Sequence, residues 1–423
     1  GSLLLMLPVS TNGPGGASFW DSLFTATSAV CVTGLMLHDT AQYWSYFGQF
    51  VIMILIQIGG MGVVTVSIAI AMLSGRKIGL MQRSTMCEAI SAHHVGGIVR
   101  MTGFILRTTI IIELTGAAAM FPVFCRDFGA VKGLWYSLFH AVSAFCNAGF
   151  DLLGVRSEFS SLTTYADNPV INITIMTLIV TGGIGFLTWD DIKTHKIHLK
   201  KYRMQSKVIL TVTSLLILLP ALYFYFVEFS ADKWSGMSVS ERILGSFFQS
   251  VTPRTAGFNT VDLTMLSEAG VFIMIILMIT GGSPGSTAGG IKTTTIAVLF
   301  SSAFSVFRRK GETNCFHRRI SDDTINHAAT ILLMYLVLFL TGGIAISCME
   351  GIPILDCLFE TASAIGTVGL TLGITTELGF ASRLILIVLM FWGRVGGLTL
   401  VFAAISGKHP DFAKFPMEKI TVG

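Results

Sequence analysis

Four short strands of this sequence carry residues suited to replacing the water around a cation. They are Cys31-Val32-Thr33-Gly34, Cys146-Asn147-Ala148-Gly149, Arg254-Thr255-Ala256-Gly257 and Gly366-Thr367-Val368-Gly369. The glycines are followed by Leu35, Phe150, Phe258 and Leu370, and preceded at one common offset by Phe24, Phe139, Phe247 and Phe359. Ser28, Ser143 and Ser363 share a second offset, where the third copy has Val251. A dehydrated monovalent cation needs oxygens in place of its hydration shell, and backbone carbonyls supply them without a full charge that would trap it. Glycine reaches backbone angles closed to other residues and lets the chain approach an axis. Four matched copies of one unit therefore predict a pseudo-fourfold ion pore with these strands as its selectivity filter. The alternative is four helix ends on which glycine is a C-cap. That explains isolated glycines but not four matched copies.

Each copy reads as an outer helix, a short pore helix, a filter strand and an inner helix. The expected outer helices are 102–124, 208–227 and 328–348. Each has about the 20 residues needed to cross a ~30 Å hydrocarbon core. The first copy has only residues 3–7 in that place, so its outer helix is expected to be truncated. The expected inner helices are 44–73, 168–189, 271–307 with a break, and 382–405. The pore segments 20–30, 135–145, 243–251 and 355–365 are too short to cross. A segment that enters and turns back must be shielded by protein or line water. The fold class is thus all-α integral membrane, with four parallel outer helix–pore loop–inner helix repeats. The expected divisions are 1–74, 75–190, 191–308 (with a loop at 280–292), 309–406 and a cytoplasmic tail, 407–423.

Composition agrees. The chain is 52% hydrophobic and 12% charged, with 44 glycines, whereas soluble domains carry about 25% charged residues. Too little polar surface is left to cover a water-soluble body. The basic residues cluster after the inner helices: Arg76, Lys77 and Arg83; Lys193, Lys196, Lys200, Lys201, Arg203 and Lys207; Arg308, Arg309, Lys310, Arg318 and Arg319; and Lys408, Lys414 and Lys419. These flanks should face the cytoplasm, and the pore segments then dip in from outside. Topology accounts for the clusters, so no nucleic-acid partner is expected. The seven cysteines have no metal spacing and are expected to be free thiols.

Below the filter the copies differ. The third inner helix breaks at Thr280-Gly281-Gly282-Ser283-Pro284-Gly285-Ser286-Thr287-Ala288-Gly289-Gly290-Ile291-Lys292, where glycine density and a proline oppose a continuous helix. Such a loop at membrane depth must line a cavity. It reads as a gate, with a passive kink as the alternative. It lacks GxxxxGK[ST] and is not a phosphate loop. In the fourth inner helix Arg394 follows Gly393, at the register where the first and third copies have the pairs Gly59-Gly60 and Gly281-Gly282. A central intramembrane arginine costs about 2.5–3.5 kcal/mol on insertion scales. It should face the aqueous path, limiting cation flux or anchoring the loop through backbone carbonyls, unless it snorkels to the interface. Glu113 is expected to pair with a hydroxyl or Arg107. Arg254 is expected to brace its pore helix, and His140 and the His93-His94 pair to be structural.

These motifs, above all Ser250–Asn259 (SVTPRTAGFN), Ala364–Thr371 (AIGTVGLT) and the broken third inner helix, resemble the Trk/Ktr/HKT superfamily of potassium transporters, nearest its KtrB-like membrane subunits. The resemblance covers nearly the whole chain. That family keeps one filter glycine per repeat, and here Met36, Asp151, Asn259 and Thr371 stand two residues after each glycine, not a second glycine. The resemblance implies potassium at the filter carbonyls, sodium passage, and a homodimer in the plasma membrane of a bacterium. It also implies a cytosolic, octameric, KtrA-like RCK ring that binds ATP or ADP. It implies no cofactor held by this chain. In that family the segment corresponding to the 280–292 loop is an intramembrane gate, with which the reading of Arg394 above agrees. The alternative is a cation-coupled secondary transporter, whose repeats are often inverted. HExxH, GxSxG and paired intramembrane aspartates are absent, which argues against an enzyme.

Overall fold

The computed structural model describes residues 1–13, 15–73, 98–309 and 311–396. Arg76, Lys77, Arg83, His93, His94, Lys310, Lys408, Lys414, Lys419 and the tail 407–423 lie outside the described residues. Three described helices are long and apolar enough to cross a membrane: Val99–Phe128, Met204–Ser230 and Asp322–Glu350. They are the outer helices of the second, third and fourth repeats, each longer than its expected range. Leu333, Val337, Leu340 and Ile344 lie exposed along one stripe of the last, and Leu215, Leu218, Leu219 and Leu222 along the one before. An apolar stripe at helical spacing that no protein covers is a lipid-facing surface. In the first repeat the outer position is held by Ser2–Leu5.

The pore helices are Phe19–Cys31, Ala130–Phe145, Val239–Val251 and Ile354–Gly366. Ser18 caps the first by accepting from the Asp21 N–H at 3.1 Å. Ser238 and Glu241 form a capping box on the third. Such caps satisfy N–H groups that the helix itself leaves open. Phe139, Phe248 and Phe359 are fully buried and anchor the second, third and fourth of these helices in protein. The strand pair among the described residues, Asn314–Cys315 against Arg318–Arg319, is a small hairpin between the third and fourth repeats.

The inner helices correct the expectation that the third alone is broken. The first runs Tyr46–Met61, stops at Gly62 and resumes as Val63–Leu73. The second ends at Gly183, short of the expected 189, and turns by 97° into Phe186–His195. The third comprises Glu268–Ile279 and Thr293–Phe307 with the loop between. The fourth runs Phe380–Val395 and reaches Gly396, beyond which the expected 397–405 lies outside the described residues. Gly62, Gly185 and Gly396 have φ of 84°, 87° and 84°, a left-handed turn that ends an α-helix and favours glycine.

Just before these breaks the inner helices press on the pore helices. A side chain on Gly59, Gly182 or Gly393 would overlap the carbonyl oxygen of Val30, Phe145 or Ile365, in the last turn or at the end of the pore helix of the same repeat. These three glycines are thus packing positions, a role that their place in apolar helices does not announce. Gly59→Ala should therefore destabilise the protein by roughly 1–3 kcal/mol through overpacking. Gly103 lies in an outer helix with open space around its Cα, so Gly103→Ala should not lower the midpoint. Thermal unfolding of both variants in detergent checks this.

Candidate ion pathway

At the end of each pore helix the backbone turns twice through left-handed space. Val32, Asn147, Thr255 and Thr367 have φ of 57°, 60°, 61° and 51°, and Gly34, Gly149, Gly257 and Gly369 follow at 94°, 70°, 82° and 92°. In the first and fourth repeats the residue that ends the helix is thus not the glycine but the one two places earlier. In the second that residue follows the C-cap Cys146, and in the third the helix already ends at Val251. In the first, second and fourth repeats the N–H of Val32, Asn147 or Thr367 bonds back to Ala29, Ala144 or Ala364. The next N–H bonds to Ser28, Ser143 or Ser363 at 2.8 Å. That pairing is the Schellman closure of a helix end. It leaves glycine free for a second task.

The second task is close approach. The carbonyl oxygen of Ala148 occupies the space a side chain on Gly34 would need. Ala256 does the same at Gly149, Val368 at Gly257, and Thr33 at Gly369. The contacts run from repeat one to two, three, four and back to one. A Cβ on Gly149 would stand 2.7 Å from the Ala256 oxygen, and a Cβ on Gly257 3.0 Å from the Gly149 Cα. The closed cycle gathers four backbone carbonyls around one axis.

Hydroxyls hold the strands from behind. Ser28 Oγ accepts the Gly34 N–H, and Ser363 Oγ the Gly369 N–H, both at 3.0 Å. In the third repeat, where the serine is replaced by Val251, Thr252 donates to the Phe258 carbonyl instead. The Asn147 amide donates to the Arg254 carbonyl at 3.2 Å, linking the second and third strands. The Arg254 guanidinium donates to Thr213 Oγ1 on the third outer helix at 3.1 Å, tying the end of the third pore segment to that helix. His140 Nδ1 bonds to the Tyr136 carbonyl at 2.7 Å, in a fully buried, structural position. Glu113 does not pair with Arg107. It faces the Cys146 thiol, which lies 3.9 Å from Oε1 and 3.8 Å from Gln57 Oε1.

Beneath the ring lies the 280–292 loop. Its limbs pair through a parallel bridge between Thr280 and Ile291. The N–H groups of Ser283 and Thr287 bond to the carbonyls of Gly183 and Gly182, at 3.0 and 3.3 Å. These are acceptors left open at a helix C-terminus. The Phe186 N–H, opening the next helix, donates to the Gly285 carbonyl at 2.8 Å, and the Gly290 N–H to that of Gly393 at 3.2 Å. Lys292 Nζ folds back on the Ala288 carbonyl at 2.8 Å. Arg394 lies across the same layer. Its guanidinium donates to the carbonyls of Thr287, Gly59 and Gly60, the last at 3.3 Å. Two of those oxygens end the first inner helix, where the partial charge is negative and suits a cation. Arg394 is therefore anchored in backbone rather than snorkelling.

A ring of backbone carbonyls at the ends of four re-entrant helices, on a scaffold of lipid-facing helices, defines a membrane protein of the cation-transport class. The family model TrkH, described as a cation transport protein, matches residues 10–412. The potassium/sodium uptake protein NtpJ of Enterococcus hirae is 39% identical over 429 residues, spanning 100% of this chain and 94% of that protein. The Ktr system potassium uptake protein B of Bacillus subtilis is 40% identical over 424 residues, spanning 100% and 93%. The crystal structure of the potassium transporter TrkH from Vibrio parahaemolyticus has a TM-score of 0.72 at 19% identity, covering 92% of this chain and 78% of that one. At that identity the likeness speaks for the fold. The chain belongs to the TrkH family of cation transport proteins. The resemblance read from the motifs is borne out, and with it the all-α membrane fold. These relatives are transporters, which sets the enzyme alternative aside.

Past the ring on the outer side, Asp151 is buried and accepts the Leu153 N–H at 2.9 Å. Burial pushes its carboxyl up from 3.8 to about 7, opposed by the Leu153 N–H and aided by nearby Asp39. The folded chain then holds a proton that the unfolded chain releases. Stability should therefore fall as pH rises from 3.8 to about 7 and level off above it. Asp151→Asn should lose this slope. Unfolding midpoints of both proteins in detergent across that range test it.

Proposed function

We propose that this chain is the ion-conducting membrane subunit of a potassium uptake system in a bacterial plasma membrane, and that sodium passes or modulates the same path. The observation that supports it most is the closed cycle of carbonyls on glycines. Filter carbonyls replace the hydration shell of the ion, and the C-terminal ends of the pore helices add partial negative charge. With one glycine per strand the ring is relaxed, which suits the potassium/sodium name carried by NtpJ. An inside-negative potential is worth about 2.3 kcal/mol per charge per 100 mV, so uptake needs no hydrolysis by this chain.

In this reading the 280–292 loop is the gate and Arg394 its latch. The loop fills the path beneath the filter, and the guanidinium ties it to the first inner helix while opposing a passing cation. Lys292 adds a second positive charge at the loop's end. Opening requires release of the Arg394 bonds, which a cytosolic partner can drive by moving the broken inner helices. The relatives named Ktr system protein B support such a partner by their name. The homodimer and the octameric, ATP- or ADP-binding RCK ring rest on the family resemblance.

Flux of potassium, rubidium and sodium into liposomes tests the filter. Gly257→Ser places a side chain against the Val368 oxygen and should change both rate and ion preference. If both stay at the wild-type value with equal protein content, the filter assignment is wrong. Arg394→Ala should raise cation flux, and unchanged flux would sink the latch. Uptake that saturates and follows a second ion in fixed ratio would favour a coupled carrier.

A further inference from the structure

The loop beneath the filter is bonded into the filter itself. Thr287 is fully buried. Its hydroxyl shares its one proton between the Phe145 carbonyl and Asn147 Oδ1, both at 3.1 Å. Asn147 Nδ2 passes the link on, to the Arg254 carbonyl at 3.2 Å and Thr255 Oγ1 at 3.5 Å. One hydroxyl on the loop thus reaches two adjacent filter strands through one amide. On the other side Gly289 stands against Thr367 so closely that a side chain there would overlap the Thr367 hydroxyl. That hydroxyl is buried without a hydrogen-bond partner among the described residues. Asn147, Thr255 and Thr367 are the left-handed residues that aim the next carbonyl into the ring.

We propose that the Thr287–Asn147 bond makes ion preference depend on the position of the loop. This rests on the reading of the strands as filter and the loop as gate, and deepens it. Asn147 is held at both ends of its amide while the loop is seated. Its backbone dihedrals, and so the direction of the Ala148 carbonyl against Gly34, are then fixed. When the loop leaves, the amide loses its donor and the second strand gains freedom, while Thr367 Oγ1 is uncovered. A ring that can widen discriminates less between ions of different radius. Asn147 and Thr287 are positioning residues, and the selectivity they support lies in the carbonyls.

The test uses the full chain, with potassium and sodium binding to the loop-seated state measured separately by titration in detergent, and the flux of each ion measured in liposomes. Thr287→Val removes the hydroxyl at nearly constant volume, Thr287→Ser keeps it, and Asn147→Gly removes the amide at a φ that glycine accepts. Loss of one neutral hydrogen bond corresponds to roughly a two- to tenfold change. Thr287→Val should lower the potassium-over-sodium preference in binding by that factor, Thr287→Ser should keep it, and the double variant with Asn147→Gly should shift it no further than either alone. An unaltered binding preference with both fluxes raised on Thr287→Val would overturn the coupling and leave the gate standing. No change in binding preference or in flux would overturn both, whereas an unaltered preference in Gly257→Ser would remove the filter reading beneath them. If Thr287→Val fails to insert, Thr287→Ser and Asn147→Gly carry the comparison: coupling requires wild-type binding preference in the first and a loss in the second, and any other pattern overturns it.

Discussion

The carbonyl of one repeat sits where the side chain of the next repeat's glycine would be. Everything else in the structure serves that contact. It demands a helix end that turns through left-handed space before the glycine, which Val32, Asn147, Thr255 and Thr367 provide. It demands hydroxyls behind the strands, which Ser28, Ser363 and Thr252 supply. It also demands inner helices that come close enough to fix the pore helices, and Gly59, Gly182 and Gly393 make that possible. Carbonyls crowded around an axis repel one another, so the strands must be held from outside.

Symmetry holds in the ring of glycine strands and is abandoned below it. The second repeat offers the carbonyls of Gly182 and Gly183 to the loop, the third repeat supplies the loop, and the fourth supplies Arg394. The first contributes only acceptors, at Gly59 and Gly60. Four equivalent helix ends have become a donor, two acceptors and a bridge. A cation held by helix-end carbonyls is stable while the helices stay together, and is set free when they part.

The four glycine strands that meet around one axis were legible because their spacing repeats and because bare backbone has few other uses. The outer helices were legible from length and apolarity, and the loop from its glycines and proline. Three things were not. Gly62 and Gly185 mark helix breaks, but each stands in a Gly-Gly-x-Gly run, and small residues in an apolar run read as ordinary membrane packing. The partners of Glu113 and Arg254 are on distant segments, so no local pattern could name Cys146 or Thr213. The Thr287–Asn147 bond joins residues in different repeats, and only the ring's closure brings them together.

The cyclic contact also gives each quarter of the ring a fixed neighbour. A chain assembled from four identical subunits would suffer any change four times over. Here the copies are joined head to tail, and a change at Gly34 is felt first at Ala148, in a different copy. Repair of such a lesion would have to be found in the adjacent quarter and not in its own. The four copies can drift apart in every respect except where one forms the wall of the next.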